Sequence, residues 1–415
     1  MKRIISLLLV FLIAFSFFGC TTNSTNSAEE IAAQNAQILA ERRDRAESYM
    51  RNMATILCRA TEDINYSNNS KCTDPTVPGT KDLIYIKAGR LYRGLPYSHA
   101  AGGPNAFLEY AKEPDEKGIY SIDGLTWHPL TGSNATARVG NDCASAVGLS
   151  WGQLGNSLAQ DSNTKYMTTD YGYLRVGEYT SNSDAHTYTL PVCEENGYDV
   201  MAAAYAKLQK ADGVVRRNKA DNNGHAMMVV DVHVDFTEDG AISGTGSYIT
   251  VLEQTSTHIE QQKFTYDAEL GENVYTTYLI DNKYTFFDLF SMGYLPITCK
   301  ELIDPSPVVE PSVADSFTEY TIDNLMEGTL TSTRFIESVT IQICDTSEIV
   351  QQCTASPVNR KLYTFDMQVF ETDRPEVFRG KLDFDALASG TYQCKVLCRL
   401  ITGDVFTIRN FEFTT

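Results

Sequence analysis

Positive charge is scarce in this sequence. Its 415 residues include 34 Lys and Arg against 53 Asp and Glu, a formal net charge of −19 at pH 7. So acidic a chain repels phosphate backbones, and nucleic acid is not expected as a partner. Beyond its N-terminal segment the chain also lacks any apolar run long enough to cross a bilayer. Its length instead predicts more than one globular domain.

The N-terminal segment, residues 1–19, contains an apolar run from Ile4 to Phe18 and has the features of an export signal. Lys2 and Arg3 precede the run, which is too short to span a membrane comfortably. The segment ends at Gly19-Cys20 before a polar stretch, which resembles a bacterial lipoprotein signal with Phe17 in place of the usual Leu. The resemblance implies a lipidated Cys20, an extracytoplasmic location and a lipid anchor in a bacterial membrane. A plain secretory signal is the alternative.

Composition and periodicity divide the rest of the chain into four parts. Residues 20–79 predict a tether, a helix from Ala28 to about Thr61, and a loop. Residues 80–303 mix helical and strand patterns and predict an α+β domain. The Pro-rich residues 304–311 predict a stiff linker. Residues 312–415 contain short alternating runs separated by turns, which is typical of an all-β, immunoglobulin-like sandwich.

Periodicity also predicts individual elements within the α+β domain. These are helices beginning at Cys143 and spanning 199–210, and strands at 225–236, 247–254, 274–280 and 283–290.

The ten cysteines favour disulfides. With Cys20 lipidated and Cys143 free, eight remain, and an even number in an exported protein indicates cross-links. Proximity pairs Cys58 with Cys72. Residues Cys394 and Cys398 lie about 13 Å apart on a straight strand, too far to bond each other. They could instead reach the other two cysteines of the C-terminal region, Cys344 and Cys353, or those two could pair together.

Cys143 stands where a polar cap gives way to helical periodicity. Either Asn141 or Asp142 is suited to cap the helix, which places Cys143 in its first turn. There the backbone N–H groups and the helix dipole stabilise a thiolate, the form in which a cysteine attacks. A structural buried cysteine is the alternative. The residue therefore indicates catalysis only if a base lies nearby.

His225 begins a predicted strand directly after a turn-forming segment. Asp231 and His233 share its strand face, which raises the alternative of a metal site. Because His225 and Asp231 are about 20 Å apart along a straight strand, they cannot bind one ion without a sharp bend. The pattern favours a general base, and neither a metal nor another cofactor is expected.

Glu253 ends the apolar row formed by Ile249 and Val251. A buried carboxylate is costly without a partner, and holding an imidazole in one tautomer would supply one. The rival candidates for this third position are Gln254 and His258, and an exposed strand end is the structural alternative.

Four motifs, in this order, resemble the NlpC-type and CHAP-type cell-wall cysteine peptidases and amidases. They are Gly94-Leu95-Pro96-Tyr97, Asp142-Cys143, Gly224-His225 followed by apolar residues, and an apolar strand ending in Glu253. The resemblance covers about residues 80–290 and implies a papain-like fold for this α+β domain. It also implies that Cys143 is the nucleophile, His225 the general base and Glu253 the residue that orients His225.

The same resemblance extends to the substrate cleft. Tyr97 matches the tyrosine beside the nucleophile in the NlpC-type pattern, and we assign Tyr97, Asp142 and Gln254 to substrate binding. The chain departs from the family at Ala144-Ser145, where Ser-Gly is usual, and in the long intervals between motifs. These departures bear on the substrate subclass more than on the chemistry.

These observations predict an exported, lipid-anchored cysteine hydrolase that cleaves an amide bond, with peptidoglycan stem peptides as the expected substrate. Two alternatives stay open. The chain could be a non-catalytic, surface-binding lipoprotein with a degenerate papain-like module, or a cysteine protease that acts on protein outside the wall. The sequence has no recognisable wall-binding repeat that would separate them.

Overall fold

A computed structural model describes fifteen segments of the chain, and within them the protein is a mixed α/β structure dominated by β-sheet. The segments are residues 27–61, 64–66, 83–97, 102–108, 111–122, 140–155, 164, 167, 173–180, 188–218, 224–255, 263–317, 326–355, 360–371 and 378–415. The export signal, Cys20, Cys72 and His258 lie outside these residues.

Helices are few and mostly short. The described segments contain α1 (Ala28–Thr55), α2 (Pro104–Leu108), α3 (Cys143–Gly152), α4 (Thr189–Asn196), α5 (Tyr198–Tyr205) and α6 (Phe286–Ser291). Within these segments, no helix is both long and apolar enough to cross a membrane.

Strands account for most of the regular structure. They are β1 (Leu57–Ala60), β2 (Ile64–Tyr66), β3 (Leu83–Ile86), β4 (Leu91–Arg93), β5 (Ala111–Lys112), β6 (Ile119–Ile122), β7 (Leu174–Arg175), β8 (Gly213–Arg217), β9 (Gly224–His233), β10 (Tyr248–Gln254), β11 (Phe264–Asp267), β12 (Glu272–Thr276), β13 (Tyr278–Thr285), β14 (Leu295–Thr298), β15 (Val313–Asp315), β16 (Glu327–Asp345), β17 (Glu348–Ala355), β18 (Arg360–Asp366), β19 (Phe378–Arg379), β20 (Thr391–Leu400) and β21 (Val405–Thr414).

The strands form three large sheets and the separate pair β2–β3. A six-stranded sheet has the order β11-β12-β4-β1-β6-β5. A second six-stranded sheet, here called the site sheet, has the order β13-β10-β9-β8-β14-β7, and its neighbouring strands are all antiparallel. The helix α3 packs against α1 on one side and against β9 and β10 of the site sheet on the other. Helix α3 is therefore enclosed, and all ten of its residues are buried.

The first helix is shorter than its sequence pattern predicts. Ser27 and Glu30 form a capping box at its start, in which each side chain accepts a hydrogen bond from the other residue's backbone N–H. The helix ends at Thr55, because Ile56 turns to an extended conformation and the next residues enter β1. Strand pairing of β1 with β4 and β6 overrides the helical periodicity that runs on to Thr61.

Two further predictions about elements need correction. The predicted strand at 283–290 is half helix, because Thr285 and Asp288 form a capping box that begins α6. The helix expected at 199–210 ends at Tyr205 and gives way to turns. The first error could have been avoided, since a Thr followed three residues later by an acidic residue is a helix-start signal in the sequence.

The C-terminal region is all-β apart from short 3₁₀ turns. Strands β15 to β21 join one antiparallel sheet around the 19-residue strand β16. This region packs directly on the α/β region. The Gln153 side-chain amide donates to the Ile401 carbonyl, and Phe335 and Ile401 belong to the same buried cluster as α1 and α3. The Pro-rich segment is held on both sides, since Arg42 donates to the Ser306 carbonyl and Arg334 to that of Val309.

The predicted disulfides are absent among the cysteines that the structure describes. No disulfide links any two of these cysteines, and all of them are buried: Cys58, Cys143, Cys193, Cys299, Cys344, Cys353, Cys394 and Cys398.

Strand register explains why the C-terminal cysteines do not pair. Cys353 lies opposite Ile341, three residues from Cys344 along β16. Cys394 lies opposite Ile343, so the side chains of Cys344 and Cys394 leave opposite faces of the sheet. Cys353 and Cys398 lie on the two strands that flank β16. Each of these strands is about 4.8 Å from β16, so the two cysteines are separated by twice that distance, which is beyond disulfide reach.

One buried ion pair fastens α1 to the site sheet. The Arg43 guanidinium donates to an Asp212 carboxylate oxygen at 2.9 Å and to the carbonyls of Lys210 and Leu302. Asp212 also accepts hydrogen bonds from Thr298 and from the Gln209 backbone. Both side chains are buried, so water could not solvate either charge if its partner were removed.

Arg43→Met should therefore destabilise the fold by about 3–5 kcal/mol, because it leaves the Asp212 charge buried without its cation. Chemical denaturation measures the loss. The matched control is Asp44→Asn on the same helix, which breaks the exposed Lys210–Asp44 pair and should cost below about 1 kcal/mol. Equal losses in the two variants would contradict the assignment of the buried pair as the anchor.

Candidate active site

Cys143 is the first residue of α3. Asp142 is the N-cap, and its carboxylate accepts the Ser145 backbone N–H at 2.7 Å while the Ser145 hydroxyl accepts the Asp142 N–H at 2.8 Å. This capping box holds the first turn, and places the thiol at the positive end of the helix. Cys143 is only 6% exposed. The predicted helix start and its cap are thus observed, with Asp142 rather than Asn141 as the cap.

Asn141 instead ties the thiol's turn to the neighbouring segments. Its buried side chain accepts a hydrogen bond from the Tyr278 hydroxyl at 2.7 Å and donates to the Gly102 carbonyl. Its backbone pairs with Tyr97 in an isolated parallel bridge. Gly94, in the motif that contains Tyr97, has φ +90°, and a Cβ there would meet the Tyr278 ring at 2.6 Å. The close approach explains why a glycine is needed in that motif.

His225 occupies the second position of β9, next to Gly224. A Cβ on Gly224 would lie 1.9 Å from the Thr164 hydroxyl, so only glycine fits beside the histidine. The strict in-and-out alternation predicted for this strand is not observed, because Ala226 to Val229 are buried on both faces. One face is covered by α3. After this buried run, partial exposure returns at Val230, where the register shifts opposite Thr250 and Val251.

Glu253 lies beside His225 on β10 and is almost completely buried, with 2% exposure. Its Oε2 is 2.7 Å from His225 Nε2. Its Oε1 accepts hydrogen bonds from the Asn282 side-chain amide at 2.8 Å and from the Tyr284 hydroxyl at 2.9 Å. The carboxylate is therefore fully partnered, as its burial requires.

A bulge in β13 places these two partners. Asn282 lies opposite Val251, but Leu279 lies opposite Glu253, so β13 carries an extra residue in between. Asp281 adopts φ 55° at this point. Bulges re-aim side chains, and this one directs both Asn282 and Tyr284 to Glu253. The sequence pattern predicted a strand break at the same position and so did not identify either residue as part of the site.

The histidine and the carboxylate favour the charged form of each other. Burial alone would lower the pKa of His225, but hydrogen bonds and charge from Cys143 and Glu253 outweigh it and raise that pKa to about 10. Burial likewise opposes ionisation of Glu253, yet His225, Asn282 and Tyr284 lower its pKa overall. Because Nε2 is hydrogen-bonded to Glu253, Nδ1 is the ring nitrogen left for proton transfer with Cys143.

The three residues open onto one cavity of about 440 Å³. Its lining comprises Tyr97, Cys143, Arg216, Gly224, His225, Glu253, Gln254, Thr255, Lys263, Leu279, Tyr284, Met292 and Tyr294. The structure thus brings together Cys143, His225, Glu253 and two of the residues assigned to substrate binding. Arg216 and Lys263 were not identified in the sequence, where nothing distinguishes them from other surface cations.

The other assigned residues have clear structural tasks. Asp142 caps α3 and is not part of the cavity lining. The Gln254 amide is buried and donates to the Leu95 carbonyl at 3.0 Å and to Asn141 at 3.3 Å, which positions the Tyr97 segment. Gln254 therefore does not replace Glu253 beside the histidine.

No cluster of three metal-binding side chains occurs in the segments that the structure covers. His233, which shares a strand with His225, is exposed and stacks on Tyr248 with ring centroids 4.9 Å apart. The arrangement around Cys143 can ionise a thiol, orient a proton-transferring imidazole and admit a small substrate.

Comparisons with known proteins do not place the chain in a family. No protein-family model and no curated protein matches it. Among solved structures it is similar over 28% of its length to OgpA from Akkermansia muciniphila, at 17% identity and a TM-score of 0.20, covering 32% of that chain. The chain is also similar to a polysaccharide deacetylase from Bacillus cereus, at 13% identity and a TM-score of 0.14. This match covers 26% of the present chain and 30% of the deacetylase chain. The chain thus spans about a third of the length of these neighbours.

The site makes a specific prediction about thiol reactivity. Because His225 keeps its positive charge up to its raised pKa of about 10, it should favour attack by the neighbouring sulfur, and iodoacetamide should alkylate Cys143 faster than the other described cysteines at pH 7. Replacing His225 by Ala should slow this labelling by about tenfold or more, because the variant removes the charged group beside the sulfur. His233→Ala, on the same strand, is the matched control. Mass spectrometry locates the label.

The buried thiols provide an internal control in the same experiment. Burial raises the pKa of Cys58, Cys193, Cys394 and Cys398 to about 12, so they should stay unlabelled. Labelling of Cys143 that is equally fast in His225→Ala and in the parent would contradict the pairing with His225.

Proposed function

We propose that the protein is a cysteine hydrolase that cleaves an amide bond through an acyl-enzyme on Cys143. The observation that carries the proposal is that Cys143, at the start of α3, lines one cavity with His225, and that His225 is hydrogen-bonded to the buried Glu253. A structural cysteine needs no such relay. The raised pKa of His225 also favours an imidazolium beside a thiolate, which is the reactive state of a cysteine nucleophile.

In the first half-reaction the Cys143 thiolate attacks the amide carbon and forms a C–S bond. The carbonyl oxygen becomes an oxyanion. The backbone N–H groups of Cys143 and Ala144 make no hydrogen bond to any residue that the structure describes, and they lie in the first turn of α3, where they can stabilise that charge. When the C–N bond breaks, the departing amine takes the proton from His225 Nδ1, which leaves a thioester and a neutral imidazole.

In the second half-reaction His225 acts as a base. It accepts a proton from water, whose oxygen attacks the thioester carbon. Collapse of this second tetrahedral intermediate breaks the C–S bond, releases the carboxylic acid and restores the thiolate and the imidazolium. The Glu253 carboxylate accepts the hydrogen bond from His225 Nε2–H throughout, so Nδ1 is always the nitrogen that faces the reacting atoms.

We further propose the NlpC-type or CHAP-type papain-like fold for this domain and an immunoglobulin-like sandwich for residues 312–415. Support comes from the order of motifs in the sequence and from the antiparallel site sheet on which α3 packs. Peptidoglycan stem peptides are the proposed substrate, and a lipid at Cys20 would hold the enzyme at the cell envelope. A cavity of about 440 Å³ accommodates a short peptide.

Purified protein should release new amino termini from soluble peptidoglycan fragments. Cys143→Ala should abolish the release, whereas Cys58→Ala, at another buried thiol of similar volume, should retain it. Mass spectrometry of the fragments identifies the bond, and quenched reactions should trap the mass of an acyl group on Cys143. Equal activity of Cys143→Ala and the parent would disprove the mechanism. Activity on unrelated peptides but not on wall fragments would move the substrate outside the wall.

Glu253→Gln should reduce kcat/KM by about 10²–10⁴-fold, because the variant enforces the wrong histidine tautomer. Both Asn282 and Tyr284 donate to Oε1, so a Gln would keep its oxygen there and present its NH₂ group to His225 Nε2. Nε2 would then have to accept, and Nδ1 would carry its proton toward the sulfur in the neutral state. Tyr284→Phe keeps the carboxylate and Asn282, and should cost less than about tenfold.

A further inference from the structure

The active-site cavity contains a cation that the mechanism does not use. Arg216 lies on β8 directly opposite His225 of β9 and lines the same cavity as Cys143. Its guanidinium packs over the Tyr294 ring at 5.4 Å, which fixes its position. Among the residues that the structure describes, no carboxylate forms an ion pair with Arg216. This is unusual in a chain with 53 acidic residues against 34 basic ones.

A second cation reinforces the first. Lys263 is exposed, lines the same cavity, and also lines an adjoining groove of about 650 Å³. The acidic side chain in the described lining of the active-site cavity is Glu253, and its two oxygens are occupied by His225, Asn282 and Tyr284. Neither cation is therefore neutralised by the cavity in which it lies.

We propose that Arg216 is a specificity residue that binds a substrate carboxylate next to the scissile amide, with Lys263 adding to the positive field. This inference rests on the proposed function and names its substrate class as peptides that carry a negative charge beside the cleaved bond. A guanidinium suits this role because its fork of N–H groups matches a carboxylate, and stacking on Tyr294 reduces the freedom that binding would remove. The carboxylate belongs either to an acidic side chain or to a free C-terminus.

The cavity can be probed without knowledge of the natural substrate. Iodoacetate and iodoacetamide alkylate the same sulfur and differ in that only iodoacetate carries a carboxylate. The ratio of their rates at Cys143 therefore reports the charge around the thiol, while the iodoacetamide rate alone reports the nucleophile. The effect of His225 on the nucleophile is the same for both reagents, so it cancels in the rate ratio of every variant that retains His225.

Arg216→Gln should lower the iodoacetate-to-iodoacetamide rate ratio by about fivefold, the effect of removing one nearby charge at a partly exposed site. Arg216→Lys keeps the charge and should retain most of the ratio. Arg175→Gln is the matched control: it removes an equal charge from an exposed arginine on β7 that packs over Tyr179 outside the cavity, and should leave the ratio unchanged. In the parent, added salt should depress the iodoacetate rate more than in Arg216→Gln.

Peptide pairs then distinguish the two sources of the carboxylate. One pair exchanges Glu for Gln beside the cleaved bond, and the other exchanges a free C-terminus for an amide. In one of these pairs, Arg216→Gln should raise the KM of the charged peptide and leave the KM of the uncharged peptide unchanged. Normal iodoacetamide labelling with a rate ratio that is unchanged in Arg216→Gln would overturn this inference alone. Failure of iodoacetamide to label Cys143 would overturn the proposed function and this inference together.

Discussion

The burial of the Glu253 carboxylate is the constraint on which the site depends. A carboxylate with 2% exposure must have every oxygen partnered, and here His225, Asn282 and Tyr284 provide the partners. The Asn282 amide donates to Oε1, and the Tyr284 hydroxyl lies 2.9 Å from Oε1 and 3.2 Å from Oε2, so Oε2 takes the shortest bond, to the histidine. This fixes the ring's orientation and leaves Nδ1 for Cys143. The position of one buried charge thus determines which nitrogen faces the thiol.

Backbone irregularity makes that arrangement possible. The extra residue in β13 turns Asn282 and Tyr284 toward β10, and the register shift between β9 and β10 changes the exposure of β9 beyond the site. Two glycines permit close packing beside the functional residues, Gly94 against Tyr278 and Gly224 against Thr164. The enclosed α3 supplies the other half of the site, since its capping box holds Cys143 in the first turn. Regular strands alone would not have brought these groups together.

Charge is distributed unevenly between the protein and its cavity. The chain as a whole is strongly acidic, yet Arg216 and Lys263 line the cavity beside Cys143. Among the lining residues that the structure describes, the one acidic residue, Glu253, is already engaged. Such an arrangement attracts anionic groups to the cleft while the surrounding surface repels other polyanions. Away from the cavity, the buried pair of Arg43 and Asp212 fastens the first helix to the site sheet.

The sequence by itself determined the features that depend on local chemistry. The capped start of α3, the strands that begin near His225 and end at Glu253, and the all-β character of the C-terminal region follow from short-range patterns. The contacts of Glu253, the shortening of α1 at Thr55, the free thiols of the C-terminal sheet and the role of Arg216 were decided only by tertiary structure. Each depends on strand register and pairing between distant segments, and neither is encoded in a local period.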